Sequence, residues 1–186
     1  GSSHHAFLTK ATFSPDAFFT TPLGRVPVRE TLIQKMLESP LFAVDAAAHG
    51  PEHSLEVELP FLQRRLTRFS ILPVLVNTDD LSVLRRTGEE LARSVRGEKA
   101  VFIISSDLSH YPALETARKT DKTFLKSIES MDPDYVWLTA QLLMGRREPG
   151  LQTVCCGLPA LLTGLQAAKT LGADRAVLWK YANSGE

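Results

Sequence analysis

Ala100-Val101-Phe102-Ile103-Ile104-Ser105-Ser106-Asp107-Leu108-Ser109-His110 is the stretch that decides the fold. Its first five residues are continuously apolar, the pattern expected of a parallel strand covered on both faces. They run without a break into serines, an aspartate and a histidine. In open α/β sheets, sites gather at the carboxyl ends of strands. The stretch therefore predicts a sheet and, at its edge, a polar site.

The segments around it alternate in the same way. Helical spacing covers Val28–Leu37, stopping before Ser39-Pro40, because a residue preceding proline disfavours the helix. Leu41–Val44 reads as a short strand. Leu55, Leu59, Leu62 and Leu66 repeat at helical spacing, with Pro60 implying a kink or a late start. Phe69–Val76 reads as a strand, edged or bulged by its proline. Asp80 can cap a helix through Val95. Helices follow over Leu114–Ile128, Pro133–Met144 behind an Asp132 cap, and Leu158–Leu171, closed by Gly172. Arg175–Tyr181 completes the pattern as a last strand. The expected fold is α/β, a three-layer α/β/α domain around a mainly parallel or mixed sheet, forming a single domain over residues 1–186.

Composition narrows the function classes. The chain has 186 residues, 44% hydrophobic and 23% charged, enough for a real core. Lys plus Arg and Asp plus Glu each number 21, so no basic footprint exists for nucleic acid or an anionic membrane. No apolar run is long enough to span a bilayer, and no signal-peptide pattern opens the sequence. The two cysteines, Cys155 and Cys156, are adjacent and poorly placed for an ordinary disulfide, which favours a reduced, cytoplasmic protein. Gly1-Ser2-Ser3-His4-His5 looks like a shortened purification tag, but it carries few histidines and runs straight into Ala6-Phe7-Leu8, so it is read as native.

Several residues could carry chemistry. Asp107 and His110 could form an oriented imidazole, the carboxylate fixing its tautomer. Ser105 or Ser106 could instead be a nucleophile with His110 as base, although the nucleophile elbow is absent. The bland alternative is that the serines and Asp107 cap a helix and His110 packs. His53, between Glu52 and Glu56, resembles part of a metal-binding helix, but no second His lies four residues on, so a supporting hydrogen-bond role is the better reading. His4 or His5 could supply an imidazole, and Cys156 a thiolate. The glycines form no phosphate loop.

The words E-H-S-L-E-V-E-L-P-F-L-Q (Glu52–Gln63), G-S-S-H-H (Gly1–His5), T-P-L-G-R-V-P-V (Thr21–Val28), I-L-P-V-L-V (Ile71–Val76), S-S-D-L-S-H-Y (Ser105–Tyr111) and C-G (Cys156-Gly157) occur in the order seen in the Memo family. The chain resembles its microbial members, of the kind named AmmeMemoRadiSam system protein B, over essentially its whole length. That resemblance implies a fold similar to the class III extradiol dioxygenases, which open catechol rings with non-haem iron. It matches His4 and Cys156 to metal-site positions and His110, with Asp107 beside it, to the dioxygenase acid/base. His5, His53, Glu52 and Ser106 are expected to line the same pocket. A thiolate in place of the dioxygenase carboxylate favours copper or zinc over a simple iron oxygenase site.

The implied function is metal-dependent redox chemistry, with copper, iron or zinc as cofactor. The alternative is a non-catalytic module using the pocket for an anionic peptide or metabolite, as animal Memo proteins bind phosphotyrosine peptides. The family name implies a radical-SAM pathway partner. Family members carry an earlier P-H-A-G-Y segment, whose His is a further metal-site residue, and a closing segment beyond Glu186. This sequence contains neither, leaving two motif ligands.

Overall fold

The computed structural model describes residues 1–185. Its longest sheet is mixed and small. β1 (Ala11–Phe13) is central, with β4 (Phe42–Val44) parallel on one side and β5 (Val74–Leu75) antiparallel on the other. Ala11 pairs with Phe42, and Thr12 with Leu75, so Phe13 and Phe42 stack with ring centroids 5.3 Å apart. β5 extends this order: Ser2 bridges Val76 in parallel, with Ser3 N–H donating to the Val76 carbonyl at 3.1 Å. A separate hairpin joins β2 (Phe18–Thr21) to β3 (Gly24–Pro27).

The helices supply most of the regular structure. α1 (Glu30–Met36) buries Leu32, Ile33 and Met36, and α2 (Ala46–His49) is one turn capped by Asp45. α3 (Leu59–Arg65) follows a short 3₁₀ turn and begins at Leu59-Pro60, so Pro60 starts the helix late rather than kinking it. α4 (Leu81–Ser94) is capped by the Asp80 carboxylate, which accepts from the Ser82 and Val83 N–H groups. α5 (Leu114–Ile128), α6 (Pro133–Gly145, capped by Asp132) and α7 (Leu158–Thr170) complete the order.

The core runs continuously from Phe13 and Phe42 through Leu84 and Leu91 of α4 to Phe124, Val136 and Leu162. Burying each such side chain contributes about 1.5–3 kcal/mol. α4 and α7 approach closely at Gly88, where a Cβ would lie 2.4 Å from the Thr163 carbonyl oxygen.

Two expected strands are not formed. Residues 100–105 and 175–181 carry no regular secondary structure, and Val101 and Trp179 are 77% and 95% exposed. Their composition suits a strand, but a strand exists only when a neighbour accepts its backbone hydrogen bonds. Among the described residues neither segment has one. Phe69–Val76 is likewise reduced to β5 plus a Val28–Ile71 bridge. Among the described residues no helix is long and apolar enough to cross a membrane.

Candidate metal centre

Two loops and the first residues of the chain meet here. Asp107–His110 is held against the Cys155–Gly157 turn by paired backbone bonds: Cys156 N–H donates to the Asp107 carbonyl at 3.3 Å, and His110 N–H to the Thr153 carbonyl at 3.1 Å. Asp107 N–H in turn donates to Cys156 Sγ at 3.2 Å. Gly157 permits this closeness, since a Cβ there would lie 2.5 Å from Ser106 Cβ. One ligand atom from each of Asp107, His110 and Cys156 lies within 4.8 Å of the others.

The His110 ring is oriented by the backbone. Its Nδ1 is 2.9 Å from the Leu108 carbonyl oxygen. A carbonyl only accepts, so Nδ1 carries a proton, and the neutral ring has its lone pair on Nε2. The carboxylate expected to fix this tautomer, Asp107, is near but is not the partner of Nδ1. Tyr111 stands edge-on to His110, with centroids 5.7 Å apart, on a backbone held at φ 64°. Non-glycine residues rarely adopt that conformation, and where they do the site is commonly functional.

His4 enters from the other side. The Glu52 side chain is 1% exposed, and Oε1 lies 3.0 Å from His4 Nδ1. The same carboxylate accepts from the N–H groups of His4 at 2.6 Å, His53 at 3.0 Å and Ser54 at 2.8 Å. Burial acts to raise its pKa, but these donors outweigh burial and hold Glu52 at about 2. Desolvation pulls the His4 pKa down, yet its bonds to the Cys156 thiol and to Glu52 win and raise it. The ligand atoms fall in two groups, His4–Glu52–His53 and Asp107–His110–Cys156.

Cys155 is different from its neighbour. Burial pushes its thiol up to about 11, so it stays protonated and packs. Ser106 Oγ lies 3.1 Å from Cys155 Sγ, donates to the Asp107 carbonyl and accepts from Gly157 N–H at 2.8 Å. Its hydroxyl thus fastens two loops together. Among the described residues no hydrogen bond joins Ser105 or Ser106 to His110, which the nucleophile reading requires.

Of the residues expected to line the pocket, Glu52 and His53 group with His4, and Ser106 Oγ lies near both the Cys155 and Cys156 thiols. His53 is exposed and stacks on His4 at 5.3 Å. His5 is exposed and belongs to neither ligand group. One contributor escapes a sequence reading: Asp121, 4% exposed, accepts from Ser109 N–H at 3.0 Å and Tyr181 hydroxyl at 2.7 Å, anchoring the loop that carries His110. The available signal is an aspartate on the inner face of α5, one turn before Phe124.

The family description "Memo-like protein" matches residues 1–186. This chain belongs to the Memo family. It is 36% identical to a MEMO1 family protein of Aquifex aeolicus, over 95% of this chain and 63% of that relative. Relatives in Methanococcoides burtonii and Methanosarcina barkeri are each 35% identical over the full chain, which covers 68% of each of them. The chain therefore spans about two thirds of the length of the curated Memo relatives it matches.

Proposed function

We propose that this Memo chain supplies the ligand-bearing part of a metal site used for redox chemistry in a reducing, cytoplasmic setting. The observation carrying this reading is the convergence of ligand atoms from Asp107, His110 and Cys156 within 4.8 Å, beside a second such group at His4, Glu52 and His53. The donor set fits a metal: two imidazoles whose Nδ1 atoms are engaged elsewhere, one thiolate precursor and one carboxylate suit copper, zinc or iron. His4, Cys156 and His110 would hold the ion, with Asp107 as the remaining donor. A bound copper or iron ion would supply one-electron chemistry, and zinc would supply Lewis acidity.

The protein's own groups have separate tasks. Glu52 accepts the His4 Nδ1 proton and so aims Nε2 at the thiol side. His110 Nε2 can take a proton from a bound molecule or return it, because Nδ1 is committed to Leu108. The same reading treats the mixed sheet and its helices as part of a three-layer domain akin to the extradiol dioxygenases, and a radical-SAM protein as pathway partner. The first rests on the motif order, and the second on the name carried by the microbial members. The competing reading, an anion-binding module without metal, is separated by one experiment. Titration with Cu(I), Zn(II) and Fe(II), followed by elemental analysis, should give near-stoichiometric metal that is lost in Cys156→Ser while the circular dichroism spectrum is retained. Folded, reduced protein that takes up none of the three would favour the anion-binding module.

A further inference from the structure

A polar cleft of about 130 Å³ lies between the start of α5 and the end of α6. α5 lines it with Glu115, Thr116, Lys119 and Thr120, and the chain leaving α6 lines it with Arg146 and Glu148. At roughly 30 Å³ per water molecule the space suits a compact ligand, and it is far below the roughly 300 Å³ where pockets for larger organic molecules begin. Two carboxylates and two cations line this one small space. Among the described residues no ion pair or side-chain hydrogen bond engages any of the four. Thr120 is 4% exposed, and among the described residues no hydrogen bond engages its hydroxyl either. A buried hydroxyl without a partner, on the wall of a polar cleft, calls for a polar ligand.

The charge pattern selects the ligand. A bare anion drawn to Lys119 and Arg146 would meet the carboxylates of Glu115 and Glu148, and a bare cation would meet the reverse. A molecule carrying both an ammonium and a carboxylate satisfies both pairs through charge-assisted hydrogen bonds. The cleft is also tied to His110. Tyr111 and Pro112 lead from His110 into α5, and the chain leaving α6 returns to pair with His110 itself. Gln152 N–H donates to the His110 carbonyl at 3.2 Å, and His110 N–H to the Thr153 carbonyl at 3.1 Å. Arg147 turns this return at φ 52°, and Gly150 packs so closely that a Cβ would lie 2.8 Å from the Tyr111 carbonyl oxygen. The two walls are thus the two chain segments that meet at His110.

We propose that the cleft binds a small zwitterion of the free α-amino-acid class, with its carboxylate on Lys119 and Arg146 and its ammonium on Glu115 and Glu148. The Thr120 hydroxyl donates to the same carboxylate. The bound ligand bridges α5 to the 146–153 segment and so restrains the backbone pairing that holds the His110 loop. This second site shares no residue with either group of metal-ligand atoms, and it makes the order of that loop depend on amino-acid concentration.

Titration of the isotope-labelled protein with glycine, L-alanine and L-serine, followed by amide chemical shifts, tests this, with acetate and methylammonium as single-charge controls. Saturable shifts at residues 115–120 and 146–153 are expected with at least one of the amino acids and with neither control. Lys119→Gln and Glu148→Gln, each checked for retained dispersion of the remaining signals, should weaken binding about tenfold, the loss of one charged hydrogen bond. Amino acid at about ten times its Kd should slow hydrogen exchange of the His110 and Gln152 amides about tenfold. The absence of saturable shifts at millimolar amino acid would overturn the proposal. So would an equal response to acetate, which makes the cleft a plain anion site, or binding that both substitutions leave unchanged. Binding with unaltered exchange at His110 and Gln152 would overturn the link to the loop. None of these readouts uses metal, so failure here is distinct from failure of the metal reading.

Discussion

Glu52 is the residue on which the site turns. One buried carboxylate collects four donors from three neighbouring backbone positions and the His4 ring. Glu52→Gln keeps the shape but loses the charge and one acceptor, leaving donors short of partners. Charge-assisted hydrogen bonds of this type are worth about 1.5–3 kcal/mol each, so thermal unfolding should show a clear loss of stability. Metal affinity should fall about 10–100-fold, as for other residues that orient a ligand histidine. The pH dependence has a definite sign. With a folded pKa of about 2, below its ordinary 4.5, Glu52 stabilises the fold fully above pH 4.5. As pH falls from about 4.5 to about 2 the unfolded chain takes up the proton first, and this contribution is lost. Urea titrations across that window should show the slope in the parent and a reduced one in Glu52→Gln.

At the scale of elements, α4 packs tightly on α7 through Gly88. Gly88→Ala would place a methyl 2.4 Å from the Thr163 carbonyl oxygen and 3.1 Å from Ala167 N, both backbone atoms that side-chain rotation cannot move. Helix propensity favours alanine by about 1 kcal/mol, whereas overpacking a helix interface costs about 1–3 kcal/mol. The clash should win, lowering the urea midpoint; a raised midpoint would mean that the helices separate freely. All the helices except the one-turn α2 were legible in the sequence, from apolar spacing, Asp80 or Asp132 at the start, or Gly172 at the end. The strands were less so. β1 spans three residues, too few for a period to emerge, and the β2–β3 hairpin turns on Pro22-Leu23 without an Asn-Gly signal. Ala100–Ile104 has the residues of a strand, but pairing belongs to the neighbour and not to the segment. In the site, Cys156 and His110 stood out by residue type and motif. The depth of Glu52 did not, because its partner His4 lies 48 residues away.

For the whole molecule, charge balance is the property with a direct readout. With 21 basic and 21 acidic residues and a sequence pI near 7.1, the chain has no net charge to draw polyanions. Fluorescence anisotropy with duplex DNA at about 0.1 M salt, where the screening length is about 10 Å, should show no saturable binding. Tight, salt-sensitive binding would reveal a basic face that the totals conceal.

The many partners of Glu52 make His4 replaceable. In His4→Ala the carboxylate keeps its three backbone donors, so the loop around it should stand. The departed ring was about one-third exposed, and its place is open to solvent. Free imidazole in the buffer should therefore enter, dock its N–H on Glu52 and present its second nitrogen where His4 did. Metal uptake lost in the variant should return with millimolar imidazole and not with an equal concentration of pyrrole, which has no second nitrogen to offer.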